Sequence, residues 1–190
     1  MAVDAPEPTP FNPYATPKAV VGELPTEPNS QPTFFPVGRM KLALMSIVTF
    51  GLYLVYWSYQ NWKSVERLNN EELGAPLRAF FYPLTSYYLF QRIEGHVVPM
   101  QIKIAIQPGV LALGVVILAV SWRLPDPYWL VTFLGFFPFL PIQSAVNELN
   151  RKVAPAAEAN NRFSGWNIFG LVVGGTLFVA AIVGVFIGDA

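Results

Sequence analysis

Between Lys41 and Lys63 the chain runs for 21 residues without a charge, LALMSIVTFGLYLVYWSYQNW. Three further uncharged windows follow, Ile104 to Trp122, Pro127 to Asn147 and Phe163 to Gly188. An α-helix rises about 1.5 Å per residue, so about 20 apolar residues cross a hydrocarbon core of roughly 30 Å. In lipid the backbone must satisfy its own hydrogen bonds, which helices do within one segment. The windows therefore predict an all-α integral membrane protein with four transmembrane helices, over about 42–62, 104–122, 127–147 and 165–188.

Composition agrees. The chain is 53% hydrophobic and 13% charged, where a soluble domain carries roughly a quarter charged residues. Twelve basic and twelve acidic residues cancel, so nucleic acid is not an expected partner. There is no cysteine, which excludes disulfides and thiol chemistry. The N-terminal MAVDAPEPTP has neither the basic stretch nor the apolar core of a signal peptide. The helices themselves are expected to direct insertion.

Nine of the 18 prolines fall in residues 1–36. Proline removes a backbone donor and fixes an extended φ, so residues 1–38 read as a disordered Pro-rich tail and 39–190 as the membrane domain. Phe34 and Phe35 are expected where the tail meets the headgroups. Arg78 and Arg92 bracket 13 uncharged, aromatic-rich residues, which as a helix span only about 20 Å. That length suits an interfacial helix over about 76–94, with a re-entrant hairpin as the alternative. Tyr53, Tyr56, Trp57 and Trp62 close the first span, Trp122 and Trp129 flank the next turn, and Trp166 opens the last span. All seven are expected as interface anchors, because an apolar ring with a polar tip suits that boundary.

With four spans, eight Lys and Arg residues face one side and four the other. Letting residues 79–91 cross gives eight against four again. Both arrangements make the 147–164 loop cytoplasmic and leave the side of the tail open.

The windows hold no acidic, basic or histidine side chain, which argues against ion-coupled transport. Gln107, Gln143, Ser144 and Asn167 are their strongest polar groups, suited to interhelical hydrogen bonds or to lining a pore. Pro138 and Pro141 free the carbonyls of Leu134 and Phe137, so a kink facing protein or water is expected. In the last window Gly170, Gly174, Ala181, Gly184 and Gly188 form a small-residue seam at which helices approach closely. His96 is the only histidine and Glu71–Glu72 the only acidic pair. Neither builds a metal or acid–base site, so no catalytic residue, cofactor or metal is expected, and the chain does not read as an enzyme.

Ser46 to Lys63, SIVTFGLYLVYWSYQNWK, resembles the hallmark segment S-I-x-T-F-G-[IL]-Y-x-x-Y-W of a family of small uncharacterised bacterial integral membrane proteins. Thr49, Phe50, Gly51, Leu52, Tyr53, Tyr56 and Trp57 match it. The resemblance implies a helical protein of the bacterial cytoplasmic (inner) membrane and carries over no activity. The expected role is a small scaffold, accessory or regulatory subunit. Its partners are the lipid bilayer and a membrane protein or a second copy. The alternatives are a passive channel or transporter for an uncharged or lipid-like solute, and an interfacial lipid-modifying enzyme.

Overall fold

A computed structural model describes residues 31–157 and 160–187. The described residues are all-helical, without a sheet. The helices are α1 (Arg39–Val48), α2 (Leu52–Asn69), α3 (Ala75–Phe80), α4 (Tyr82–Val97), α5 (Pro108–Val120), α6 (Phe139–Val153) and α7 (Gly165–Ile187). A 3-10 stretch, Tyr128–Phe136, leads into α6. Two helical runs, Tyr128–Val153 and Asn167–Val185, are long and apolar enough to cross a membrane, and Pro108–Arg123 is a shorter apolar run.

The first window is not one helix. It breaks at T-F-G-L-Y, and each residue there has a role in the turn. Phe50 (φ 52°) and Gly51 (φ 84°) adopt left-handed backbone. The Gly51 N–H donates to Ser46 O (2.8 Å) and the Phe50 N–H to Ile47 O (3.1 Å), the paired bonds of a Schellman helix end. Thr49 then serves both helices. Its hydroxyl donates to Met45 O at 2.6 Å and accepts from the Tyr53 N–H at 2.9 Å, which supplies one orphan donor of α2. The chain doubles back, so that Lys41 and Met45 of α1 line one depression with Tyr53 and Tyr56 of α2. A straight span over 42–62 is thereby replaced by a helical hairpin whose two ends lie on the same side. Hydrophobic length reads the same for a rod and for a hairpin; two positive φ values distinguish them.

The tail boundary also moves. Residues 1–30 lie outside the described residues, but 31–38 form an ordered strap along α2. Phe34 and Val37 are buried rather than at headgroups, and the Phe35 ring meets Tyr56 edge-on at 5.5 Å. The 76–94 segment is two helices, α3 and α4, separated at Phe81, where Pro83 follows in the first turn of α4. Glu66 of α2 caps α3. Its Oε1 accepts from the N–H groups of Leu73 (3.1 Å) and Ala75 (2.9 Å).

Pro138 and Pro141 leave no orphaned carbonyl. Leu134 O accepts from the Phe137 N–H at 2.8 Å and Phe137 O from the Leu140 N–H at 3.2 Å. The tighter 3-10 spacing re-pairs what proline frees. A Cβ added at Gly114 of α5 would lie 3.3 Å from Pro138 Cγ, so the kink faces protein.

Two helices carry exposed apolar faces. On α5, Val110, Leu113, Ile117 and Val120 recur at helical spacing and all are exposed. On α7, Ile168, Val172, Val179 and Val183 do the same. Contiguous exposed apolar surface of this kind marks protein or membrane interaction sites.

Candidate functional site

Two constructions stand out: a clasp of side-chain amides around the strap, and an apolar cavity at the hairpin tip. The clasp comes from α6, whose Gln143, Asn147 and Asn150 fall four and three residues apart on one face. Asn150 Nδ2 donates to Phe34 O (2.9 Å) while its Oδ1 accepts from the Phe34 N–H (3.2 Å). Asn147 Nδ2 donates to Val37 O at 2.9 Å. Gln143 Nε2 donates to Phe35 O (3.2 Å) and Asn147 Oδ1 (2.8 Å), and its Oε1 accepts from Trp57 Nε1 at 2.5 Å. From α2, Asn61 Oδ1 accepts from the Phe35 N–H at 3.3 Å and its Nδ2 donates to Trp57 O at 2.9 Å. An extended strap has no helical ladder, and buried peptide groups need partners. The amides supply them.

Beside the clasp, Lys41 is 4% exposed. Its Nζ donates to Asn160 Oδ1 and Arg162 O, both at 2.7 Å. With its amide oxygen turned toward the donors, Asn167 accepts from the same Nζ at 3.0 Å. Neutral oxygens thus hold the ammonium and tie the loop before α7 to α1. Outside the uncharged windows, burial lowers the pKa of the Lys41 ammonium and raises that of the Tyr82 phenol, and the titration of Glu66 is displaced as well. Partial burial pushes its carboxyl up, but the Ala75 and Leu73 N–H groups and Lys63 (3.4 Å) outweigh that, and the net shift is downward.

The cavity has a volume of about 400 Å³. It lies between the hairpin tip (Ser46, Phe50, Leu54), α5 (Val115, Leu118) with Trp122 just beyond it, and the 3-10 stretch (Trp129, Phe133, Phe136), with Tyr82 at the start of α4. No charged side chain lines it. Two of its hydroxyls are turned into the walls: Ser46 Oγ donates to Leu42 O at 2.6 Å and Thr132 Oγ1 to Leu118 O at 3.0 Å.

The residues singled out in the sequence distribute unevenly over these features. Trp57 and Trp62 are fully buried and Tyr53 nearly so. They are core residues rather than interface anchors, because the hairpin turns that face of α2 toward α6 and α3. Trp62 lies under the Arg78 guanidinium at 4.7 Å, and its Nε1 has no hydrogen-bond partner among the described residues. Tyr56 and Trp122 are exposed and Trp129 is partly so. Trp166 sits in the first turn of α7, and its side chain falls outside the described residues. Of the seam, Gly174 is the close approach: a Cβ there would collide with Val48 O of α1. Gly170 meets the Met45 side chain, while nothing lies within 4 Å of a Cβ at Gly184. Ala181 is half-buried, and Gly188 lies outside the described residues. Gln143 lines no pore, since it is buried in the clasp. Sequence reasoning missed Asn61, Asn147 and Asn150; the amide stripe 143/147/150 on a single helix face was the available signal.

No protein-family model matches the chain, and no curated protein and no solved structure is detectably similar to it. Among the described residues no three acidic, histidine or cysteine side chains converge as metal ligands do.

Proposed function

We propose that this chain is a small integral membrane scaffold or accessory subunit that crosses the bilayer three times. The crossings are 108–123, 128–147 and 165–187, with the α1–α2 hairpin entering and leaving from one side. The observation that supports this reading is the charge distribution it produces. Once the hairpin ends where it began, Lys18, Arg39, Lys41, Lys63, Arg67, Arg78, Arg92, Lys103, Arg151, Lys152 and Arg162 share one side, and Arg123 alone has the other. Eleven to one replaces eight to four. Counting only basic residues within about 20 residues of a crossing, the ratio is five to one. The basic side is the cytoplasm, which puts the N-terminal tail inside and the C-terminus outside.

The T-F-G-L-Y resemblance fits the same reading, with the shared motif acting as the hairpin turn. The bacterial inner membrane is the membrane we propose on that basis. Association runs through α7. Its first half packs on α1 through Gly174, and Phe178 stacks edge-on against Phe133 at 4.7 Å, whereas Gly184 and the Val179 and Val183 face stay open. Small residues beside exposed apolar ones are what membrane helices use to pack on one another. Cross-linking in native membranes, followed by purification in mild detergent, tests this. A second copy or a partner protein is expected on wild-type α7, and Gly184→Leu should remove it without loss of the folded monomer. A chain that stays single in both variants would sink the scaffold reading.

A further inference from the structure

We propose that the cavity at the hairpin tip holds one acyl chain of a phospholipid whose phosphate sits on Arg123. This rests on reading 108–123 and 128–147 as crossings joined by the turn at 123–127. The cavity volume of about 400 Å³ falls within the usual range of ligand sites, about 300–1,000 Å³. Its walls are mostly aliphatic and aromatic, with Tyr82 adding a phenol, and the Ser46 and Thr132 hydroxyls are already satisfied by backbone carbonyls. A predominantly apolar, uncharged wall of this kind matches a hydrocarbon chain.

The head is specified at the mouth. Trp122 lines the cavity and is largely exposed, and the Arg123 guanidinium lies over its ring at 5.3 Å. Among the described residues Arg123 enters no ion pair. Asp126, the acid in the same turn, accepts from Trp129 Nε1 at 2.6 Å. An exposed cation without a counter-ion, held by an aromatic ring at the lip of an uncharged cavity, is complementary to a lipid with an anionic phosphate. Guanidinium matches phosphate through paired N–H donors. Arg123 is also the single basic residue on its side of the proposed topology, so no neighbouring cation competes for that head.

The test is native mass spectrometry of the delipidated full chain in detergent, titrated with a phosphatidylglycerol and with the diacylglycerol of the same chains. Wild type is expected to retain one phosphatidylglycerol, and Arg123→Gln or removal of the phosphate should weaken retention about tenfold, the loss of one charge-assisted contact. Leu118→Trp, which fills the cavity, should abolish retention, while Val110→Trp on the exposed face of α5 should not change it. If Leu118→Trp does not fold, Ala119→Phe replaces it, and Arg123→Gln on the exposed turn reads the head independently. Equal retention by Arg123→Gln, equal binding of diacylglycerol, or lipid retained by the filled cavity would overturn the proposal. Failure with the chain still in alkali-washed membranes leaves the membrane reading standing; recovery in the soluble fraction defeats both.

Discussion

The clasp and α7 solve opposite problems in one chain. Around the strap, α2 and α6 bury amides and answer nearly every buried peptide group with a named partner at hydrogen-bond distance. Along α7, a 23-residue helix, the close backbone approach is at Gly174, with Gly170 on Met45 and Phe178 on Phe133, while Ile168, Val172, Val179 and Val183 are apolar and exposed. The first region is fixed by polar satisfaction, which is directional and leaves one arrangement. The second is fixed by shape, which in the proposed membrane setting leaves a face available for another helix. What looks like uniform hydrophobicity in the sequence is therefore two kinds of construction.

Breaking the clasp should have the largest effect on folding. Gln143→Leu leaves Trp57 Nε1, Phe35 O and Asn147 Oδ1 without their partner. At about 1–3 kcal/mol per buried orphan, the expected loss is on the order of 3 kcal/mol or more, seen as a lowered melting temperature in detergent. Little change would mean that the strap is not bound in the folded state. Gly174→Val attacks the other region. Overpacking costs about 1–3 kcal/mol, and protease access to the α1–α7 contact should rise while the clasp variants' signature is absent.

Gly51→Ala sharpens the distinction between hairpin and rod, because its sign reverses. In a continuous span, Ala for Gly would stabilise by roughly 1 kcal/mol. At φ 84° a Cβ is strained, and destabilisation of about 1–2 kcal/mol is expected instead. The smallest effect belongs to Glu66. Its carboxyl is held below the ordinary value in the folded chain, so its contribution is present at neutral pH and is lost as pH falls below the usual carboxylate range through the depressed folded value. Glu66→Gln should flatten that acid limb in a pH series of thermal melts; an unchanged limb would show that the cap on α3 does not contribute.

The helical class was legible in window length and in the missing charges. The hairpin was not, although its residues were in view. T-F-G-L-Y stood out as a family signal, yet only backbone dihedrals convert it into a turn, since glycine within an apolar run is common in membrane helices. Proline density hid the strap: Phe34, Phe35 and Val37 look like an apolar remnant in a tail until the α6 amides are seen to bind their backbone. Trp57 and Trp62 misled for a related reason. Aromatic side chains near charged residues suggest an interface, and burial against α6 and α3 depends on contacts distant in sequence. The cavity had no signature at all, because its walls come from the hairpin tip, α4, α5 and the 3-10 stretch.

In the proposed three-crossing arrangement the hairpin puts residues 18 and 190 on opposite sides of the membrane. The chain has no cysteine, so Lys18→Cys and Ala190→Cys can be labelled singly in intact cells with a membrane-impermeant maleimide. The account predicts label at residue 190 from outside and at residue 18 only after permeabilisation. Label reaching residue 18 from outside, or both residues behaving alike, would contradict it.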